Sequence, residues 1–206
     1  LEAIARAGFR ETELMAEGPG WEQAGSRDVN KYRAVLERFG IFPHTILTPL
    51  IDVYLTSSDE ALRADAVARI AGAMRFLGEL GGRTAIVHPW SRPGPSDSPF
   101  TLENVGAAIE RGYRSVSELV KVAEQTGVRI ALENLTNRGR DCRPVVTMHE
   151  LRALISSFPP EQVGLCLDTG HACMSGLDPA EQARIASDRL YALHIQDIDG
   201  QNDCHW

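Results

Sequence analysis

Three short segments of this 206-residue chain contain side chains that bind metal ions well. They are ALEN, ending at Asn134; CLDTGH, ending at His171; and HIQDIDGQNDCH, starting at His194. Glu133, Asp168 and His194 supply carboxylate oxygens and an imidazole nitrogen, the donors that suit Mn, Mg, Co or Zn. The sequence therefore predicts a divalent-metal site formed by these three side chains, in a metal-dependent enzyme.

Segments with strand character alternate with segments of helical periodicity along the chain. We predict six strands, over residues 11–16, 43–49, 83–89, 129–134, 163–168 and 190–197. Helices are predicted over 28–39, 59–80 and 102–126, followed by shorter helices that begin after Thr147 and Asp178. The strands are continuous apolar runs, which is typical of parallel strands covered on both faces. This βαβα order predicts an α/β fold.

Short motifs mark the ends of the predicted helices. Ser57-x-x-Glu60 and Thr147-x-x-Glu150 have the pattern of a capping box, in which a hydroxyl and a carboxylate satisfy backbone amides at the helix start. Glycines follow the three long helices at positions 40, 81 and 127, where a left-handed residue commonly ends a helix. These motifs support the predicted helix boundaries.

His88, Glu133, Asp168 and His194 each lie at the C-terminal end of a different predicted strand. In a (β/α)8 barrel this end of the strands carries the chemistry, and a closed barrel lets non-adjacent strands point into one pocket. Neither GxGxxG after a first strand nor GxxxxGKS/T occurs, so nucleotide-binding doubly wound folds lose their main support. We therefore predict a (β/α)8 TIM barrel.

Six predicted strands are two fewer than this barrel has, and a full barrel typically needs ~250 residues. The sequence therefore predicts an incomplete TIM barrel, with the first and eighth strands not in this chain. We interpret residues 1–206 as a single domain that is truncated at both ends.

The composition disfavours several classes of protein. The net charge is -7, whereas proteins that bind duplexes usually present a basic face. No apolar stretch reaches the ~18 residues of a membrane span, and the first residues lack the features of a secretory signal. The four cysteines have no CxxC spacing and are interpreted as small, semi-buried residues. These features predict a cytoplasmic protein that does not bind membrane, and they make nucleic acid an unfavoured partner without excluding a local basic patch.

In this order and at this spacing, the segments resemble the xylose isomerase-like TIM barrels. This superfamily of sugar phosphate isomerases and epimerases also includes endonuclease IV. AGFRETEL resembles its first helix and second strand, and LTSSDEALRADAVARIAGAMRFLGELGGRTAIVHPW its third helix and fourth strand. ALEN, CLDTGH and HIQDIDGQNDCH resemble the ends of its fifth, sixth and seventh strands. The resemblance covers nearly the whole chain.

The resemblance implies roles for particular side chains. Glu133, Asp168 and His194 match the divalent-metal ligands of the superfamily, and a fourth ligand, a glutamate of the eighth strand, would lie beyond Trp206. His171 matches a histidine that contacts substrate in epimerases and a metal in endonuclease IV. Further matches to endonuclease metal ligands are candidates for a second metal or for substrate binding: His88, Asp203 and His205.

Leu47 departs from the endonuclease pattern, which has a metal-binding histidine at this place. A leucine cannot bind a metal ion, so a complete trinuclear site is disfavoured. A mononuclear site of the sugar-enzyme type is unaffected by the change.

Two further groups of residues are candidates for substrate binding. The loop after Glu133 carries Arg138, Arg140 and Arg143, which could bind a phosphate or carboxylate through their guanidinium groups. A solvated loop explains these arginines equally well. Trp21 and Trp90 could stack on a sugar ring, or could be packing residues.

These observations predict a metal-dependent isomerase or epimerase of a small sugar, keto-sugar or polyol. Glu133 and His171 would be the catalytic residues, moving a proton on the carbon next to a metal-bound carbonyl. A dehydratase or lyase on the same scaffold, an endonuclease IV-like nuclease and a non-catalytic truncated barrel are the alternatives. The partner is a small sugar-like molecule, and assembly into a homo-oligomer is left open.

Overall fold

Six parallel strands form a single sheet in the order of the sequence. The computed structural model describes residues 1–17, 28–90, 93–136, 142–199 and 202. The strands are β1 Glu11–Met15, β2 Phe42–Leu47, β3 Thr84–Val87, β4 Arg129–Glu133, β5 Val163–Asp168 and β6 Leu190–His194. Each pairs in parallel with the next. All six predicted strands are therefore confirmed, with shorter bounds at several ends.

Helices connect the strands on the outer side of the sheet. They are α1 Glu2–Arg6, α2 Val29–Phe39, α3 Glu60–Glu79, α4 Val105–Thr126, α5 Met148–Ile155, α6 Thr169–Met174 and α7 Pro179–Ala186, with a 3-10 turn at Ser187–Arg189. The buried residues of α3, α4 and α5 pack against the strands in the main hydrophobic core. No helix among the described residues is long and apolar enough to cross a membrane.

The capping box at Thr147 is confirmed, because its hydroxyl accepts from the Glu150 amide and the Glu150 carboxylate accepts from the Thr147 amide. The predicted box at Ser57 is wrong. The side chain that caps α3 is Asp59, which accepts from the amides of residues 61 and 62. Ser57 lies two residues further out, and its hydroxyl accepts from the Asp59 amide instead.

Helix α4 starts three residues later than the sequence predicts. The side chain of Asn104 accepts from the Thr101 amide at 2.8 Å and donates to the Pro99 carbonyl at 2.8 Å. These bonds hold the preceding residues in a turn, because an asparagine side chain can replace backbone partners locally.

Side chains alternate between the two faces of each strand, as the pleat requires. On β4 and β5, Ile130, Leu132 and Leu165 belong to the core beneath the helices. The opposite, inner face carries a separate apolar cluster of Ile86, Ala131 and Cys166. Two residues beyond each member of this cluster, the same face must present His88, Glu133 and Asp168.

The sheet is curled, so that its last strand returns towards its first. Nε2 of His194 on β6 lies 3.2 Å from a carboxylate oxygen of Glu13 on β1. Within the described residues, the sheet runs from β1 to β6 without hydrogen bonds that close it. The fold is therefore a curled, incomplete α/β barrel of the TIM-barrel type, as the sequence predicts.

Candidate metal centre at the carboxyl ends of the strands

Glu133 lies at the centre of a group of polar side chains inside the curl of the sheet. Its side chain is only 2% exposed, and its Oε2 lies 2.8 Å from Nε2 of His88 and 3.2 Å from Nδ1 of His194. Burial raises the pKa of the Glu133 carboxyl, but the two neighbouring imidazoles outweigh this effect and hold the pKa well below its usual range. Glu133 is therefore ionised near neutral pH.

Two buried atoms of this group lack a directed hydrogen bond. They are Oε2 of Glu133 and Nε2 of His88, which are close to each other but are not oriented as donor and acceptor. Buried polar atoms are nearly always satisfied, so such a pair needs an explanation. A divalent cation would satisfy both, because a carboxylate oxygen and an imidazole nitrogen are its usual ligands. The donor set therefore fits a divalent metal ion.

Asp168 is fully buried and its carboxylate is fixed by its neighbours. The Gln196 side chain donates to both carboxylate oxygens, at 2.8 and 2.6 Å, and the His171 amide donates at 2.8 Å. The Asn134 side chain accepts from the Asp168 amide at 2.8 Å and donates to its carbonyl at 3.1 Å. Asp168 also caps α6. These bonds hold the Asp168 carboxylate in one orientation, and its role as a metal ligand stays a prediction.

His171 is oriented by a backbone carbonyl. Its Nδ1 lies 2.8 Å from the carbonyl oxygen of Asn134, 3.5 Å from Oε1 of Glu133 and 3.9 Å from Oδ2 of Asp168. A carbonyl only accepts, so Nδ1 carries a proton, and in the neutral ring the lone pair is on Nε2. This arrangement suits proton transfer or substrate contact through Nε2 better than metal binding through Nδ1.

The predicted ligands fall into two overlapping groups. Glu133, Cys166 and His194 have ligand atoms within 4.8 Å of one another, and so do Glu133, Asp168 and His171. Glu133 is common to both groups, while Asp168 and His194 are divided between them. Asp168 and His194 are nevertheless direct partners in the register of β5 and β6. The structure therefore places Glu133, Asp168 and His194 at the ends of neighbouring strands, and their joint binding of one ion stays a prediction.

Cys166 was not predicted as a site residue. It lies on the inner face two residues before Asp168, and pairs with Glu133 across β4 and β5. Burial, followed by the nearby carboxylates, raises the pKa of its thiol well above the ordinary value, so the thiol is protonated. The interpretation of the cysteines as semi-buried residues is wrong for Cys173, which is exposed, and for Cys166, which is fully buried.

Glu13 was also missed as a site residue. It lies in β1, and its carboxylate contacts Nε2 of His194 and accepts from the Thr45 hydroxyl at 2.7 Å. The sequence signal was a carboxylate within a predicted strand, two positions after Glu11 and so on the same face of the strand. That signal does not indicate which distant residue the carboxylate contacts.

The candidate substrate-binding residues lie in different environments. Trp90 is 1% exposed and belongs to the hydrophobic core, so its position matches the packing alternative. The Arg143 guanidinium donates to the Thr136 carbonyl at 3.4 Å, and its binding of an anion stays a prediction. Leu47 packs against the inner apolar cluster below the polar group. Five candidates lie outside the described residues: Trp21, Arg138, Arg140, Asp203 and His205.

The sequence matches the family model described as xylose isomerase-like TIM barrel over residues 1–206. The chain belongs to this family. The predicted resemblance is therefore confirmed, and the curled, incomplete sheet is the form that the family fold takes in this chain.

Three proteins similar to this chain illustrate the range of the family. An uncharacterised protein of Methanocaldococcus jannaschii is 25% identical over an alignment of 210 positions that covers 100% of this chain and 67% of that protein. A probable endonuclease 4 of Carboxydothermus hydrogenoformans is 25% identical over 82% of this chain and 60% of its own length. The crystal structure of a D-tagatose 3-epimerase-like protein superposes with a TM-score of 0.84 and 24% identity, covering 100% of this chain and 74% of its own. At this identity, the structural likeness shows the fold alone.

Proposed function

We propose that this chain carries the site of a divalent-metal-dependent isomerase or epimerase that acts on a small sugar, keto-sugar or polyol. The observation that carries the proposal is the buried, ionised Glu133, whose Oε2 faces two imidazole nitrogens without a directed hydrogen bond. A buried carboxylate without such bonds is costly. A site that binds a cation recovers that cost when the ion is present.

The ion, when bound, would hold neighbouring oxygens of the substrate and stabilise negative charge that develops on them. Glu133 would accept the proton from the carbon next to the substrate carbonyl, because it is ionised and faces the inside of the barrel. His171 is the second group that can carry a proton, at its Nε2. Asp168, held by Gln196 and by the His171 amide, keeps its orientation throughout.

The substrate class rests on the family and on the structural neighbours. The D-tagatose 3-epimerase-like protein of the same fold motivates ketoses as the first substrates to try. Arg143 is the described member of the three arginines that follow Glu133, so phosphorylated ketoses and sugar acids form the second set. A dehydratase would use the same proton abstraction and then expel water from the neighbouring carbon.

A nuclease of the endonuclease 4 type is the alternative that a relative's name suggests. Leu47 counts against it, because its apolar side chain contacts the inner cluster at the place of a metal-binding histidine. The net charge of -7 also disfavours a DNA-binding surface.

The test is exchange of a substrate hydrogen with solvent. The protein is incubated in D2O with Mn, Mg, Co or Zn and a panel of ketoses, their phosphates and sugar acids, and deuterium at the carbon next to the carbonyl is followed by NMR. We expect metal-dependent incorporation and a new epimer or isomer with one substrate class. A control with Glu133→Gln should show neither.

Three outcomes would contradict the proposal. A dehydrated product would replace it with the lyase alternative, and metal-dependent cleavage of an abasic oligonucleotide without exchange would replace it with the nuclease. Absence of exchange in every mixture, with a metal shown to be bound, would overturn the assigned chemistry.

A further inference from the structure

The contact between Glu13 and His194 has a chemical consequence for the metal centre. Nε2 of His194 lies 3.2 and 3.4 Å from the two carboxylate oxygens of Glu13, while Nδ1 of the same ring lies 3.2 Å from Oε2 of Glu133. The ring therefore stands between two carboxylates, one on each nitrogen. Among the candidate ligands that the structure describes, Glu133 lies on the Nδ1 side of the ring.

Glu13 is itself held in place. The Thr45 hydroxyl donates to its Oε2 at 2.7 Å, and Thr45 is its direct partner on β2. The register of β1 and β2 shifts between Thr12 and Glu13, and such a bulge re-aims the side chains that follow it. A carboxylate fixed in this way can hold the His194 ring in one orientation.

The hydrogen-bonding chemistry of imidazole and carboxylate determines which nitrogen of His194 carries a proton. A carboxylate only accepts hydrogen bonds, so the ring nitrogen facing Glu13 must carry a proton. When a metal ion displaces the other ring proton, the neutral ring has its lone pair on Nδ1, the nitrogen directed towards Glu133. Metal-bound histidines commonly donate their other N–H to a carboxylate, which sets the tautomer and orients the ring.

We propose that Glu13 is a positioning residue that holds His194 as the Nε2–H tautomer and presents its Nδ1 to the metal ion. The inference deepens the proposed function, because it concerns the same site and rests on a cation being bound there. Glu13 does not touch the substrate or the ion. It acts through His194.

The test compares substitutions at Glu13 with a matched control on the same strand. Glu13→Leu removes the acceptor, whereas Glu13→Gln keeps an oxygen that can accept from Nε2. Glu11→Gln is the control, because Glu11 also faces a histidine, His44, at 3.5 Å, away from the candidate centre. Zn affinity is measured by calorimetry, and the protonated nitrogen of His194 is read from long-range 1H–15N NMR of the Zn-bound protein.

We expect Glu13→Leu to weaken Zn binding by about 10- to 100-fold, the usual effect of losing such a partner. Glu13→Gln should bind Zn nearly as the unaltered protein does, with the Nε2–H signal kept, and Glu11→Gln should change nothing. Thr45→Val, which removes the hydroxyl that fixes Glu13, should give a smaller loss than Glu13→Leu. Thr45→Val also tests the proposal if Glu13→Leu does not fold.

Failure of this inference and failure of the proposed function are distinguishable. If the unaltered protein binds Zn and both Glu13→Leu and Thr45→Val bind it equally well, the positioning role is wrong while the enzyme proposal survives. If Glu13→Leu does not fold, unchanged affinity in Thr45→Val has the same meaning. If the variants lose Zn but no sugar exchanges its hydrogen, the positioning role stands and the substrate class is wrong. A protein that binds no divalent ion overturns both.

Discussion

The carboxylate of Glu13 on the first strand lies 3.2 Å from Nε2 of His194 on the last strand. The two residues are 181 positions apart in the chain. Their contact spans the inside of the curled sheet and joins strands that are not hydrogen-bonded neighbours in the described sheet. The contact joins Glu13 to the polar group that Glu133, His88 and His194 form inside the curled sheet.

The affinity of the site for divalent ions should rise with pH. Burial lowers the pKa of His194, but the carboxylates of Glu13 and Glu133 beside its two ring nitrogens outweigh this and raise the pKa to about 10 in the metal-free protein. A metal ligand must be neutral, so binding releases this proton. We expect the apparent affinity to increase about tenfold per pH unit below that pKa for one proton released.

Calorimetry in two buffers of different ionisation enthalpy measures the proton released on Zn or Mn binding. An affinity that is constant between pH 6 and pH 8, with no proton released, would contradict the ligand role of His194. This range lies below the raised pKa of His194, so the metal-free ring is protonated throughout it.

Glu133→Gln should abolish turnover and largely preserve the fold. The amide is isosteric but neutral, so it weakens metal binding and cannot accept the substrate proton. A general base contributes about 100- to 10,000-fold to a rate, so we expect a loss of at least about 100-fold. Turnover in the exchange assay and the far-UV circular dichroism spectrum are the two measurements.

The control for this substitution is Glu124→Gln. Glu124 is exposed on α4, and its carboxylate accepts from the Gln162 side chain at 3.2 Å. It should leave turnover unchanged. Near-native turnover in Glu133→Gln would remove Glu133 from its catalytic role.

The stability that the contact between α3 and α4 contributes should decrease at acidic pH. The buried Arg63 side chain bonds to Glu60, to Glu118 and to the Ser115 hydroxyl. The bond from Arg63, with help from Arg114, lowers the pKa of Glu60 from 4.5 to about 2. A carboxyl whose pKa is lowered by folding stabilises the protein above its unfolded pKa, and that contribution is lost as pH falls through about 2.

Urea unfolding of Glu60→Gln measures this contribution. At pH 7 the variant should have a lower urea midpoint than the unaltered protein, and the difference should disappear below about pH 2. The control is Glu2→Gln, because Glu2 forms an exposed pair with Arg6 at 2.6 Å, and such pairs contribute little. Equal midpoints at pH 7 would show that the network does not stabilise the fold.

Gly112→Ala should destabilise the protein by about 1–3 kcal/mol, the usual cost of overpacking a core. An added Cβ would lie 2.3 Å from Nε1 of Trp90, so the indole or α4 must move. Gly106→Ala on the same helix is the control, because its Cβ would have nothing within 4 Å. Urea unfolding, followed by Trp fluorescence, compares the two variants.

Trp90→Phe in the Gly112→Ala background should recover part of the lost stability, because the smaller ring leaves room for the Cβ. Equal stabilities of Gly112→Ala and Gly106→Ala would contradict this packing of Trp90. The same pair of variants separates the packing role of Trp90 from the sugar-stacking role that the sequence left open.

The sequence by itself determined the strands, their parallel order and the ends at which the polar residues stand. Continuous apolar runs and helices closed by glycine are local signals, since each depends on neighbours within one helix or strand. Once the strands are known, the two-residue period places Glu133 and Asp168 on the same face as Ala131 and Cys166. The ligand types then followed from chemistry alone.

Only the tertiary structure decided which of these side chains meet. The contact of Glu13 with His194 depends on how far the sheet curls, and that of Glu133 with His88 depends on the register of neighbouring strands. Trp90 enters the core because a glycine lies opposite it on α4. None of these distances is fixed by a local pattern, because each is set by the packing of segments that are remote in sequence.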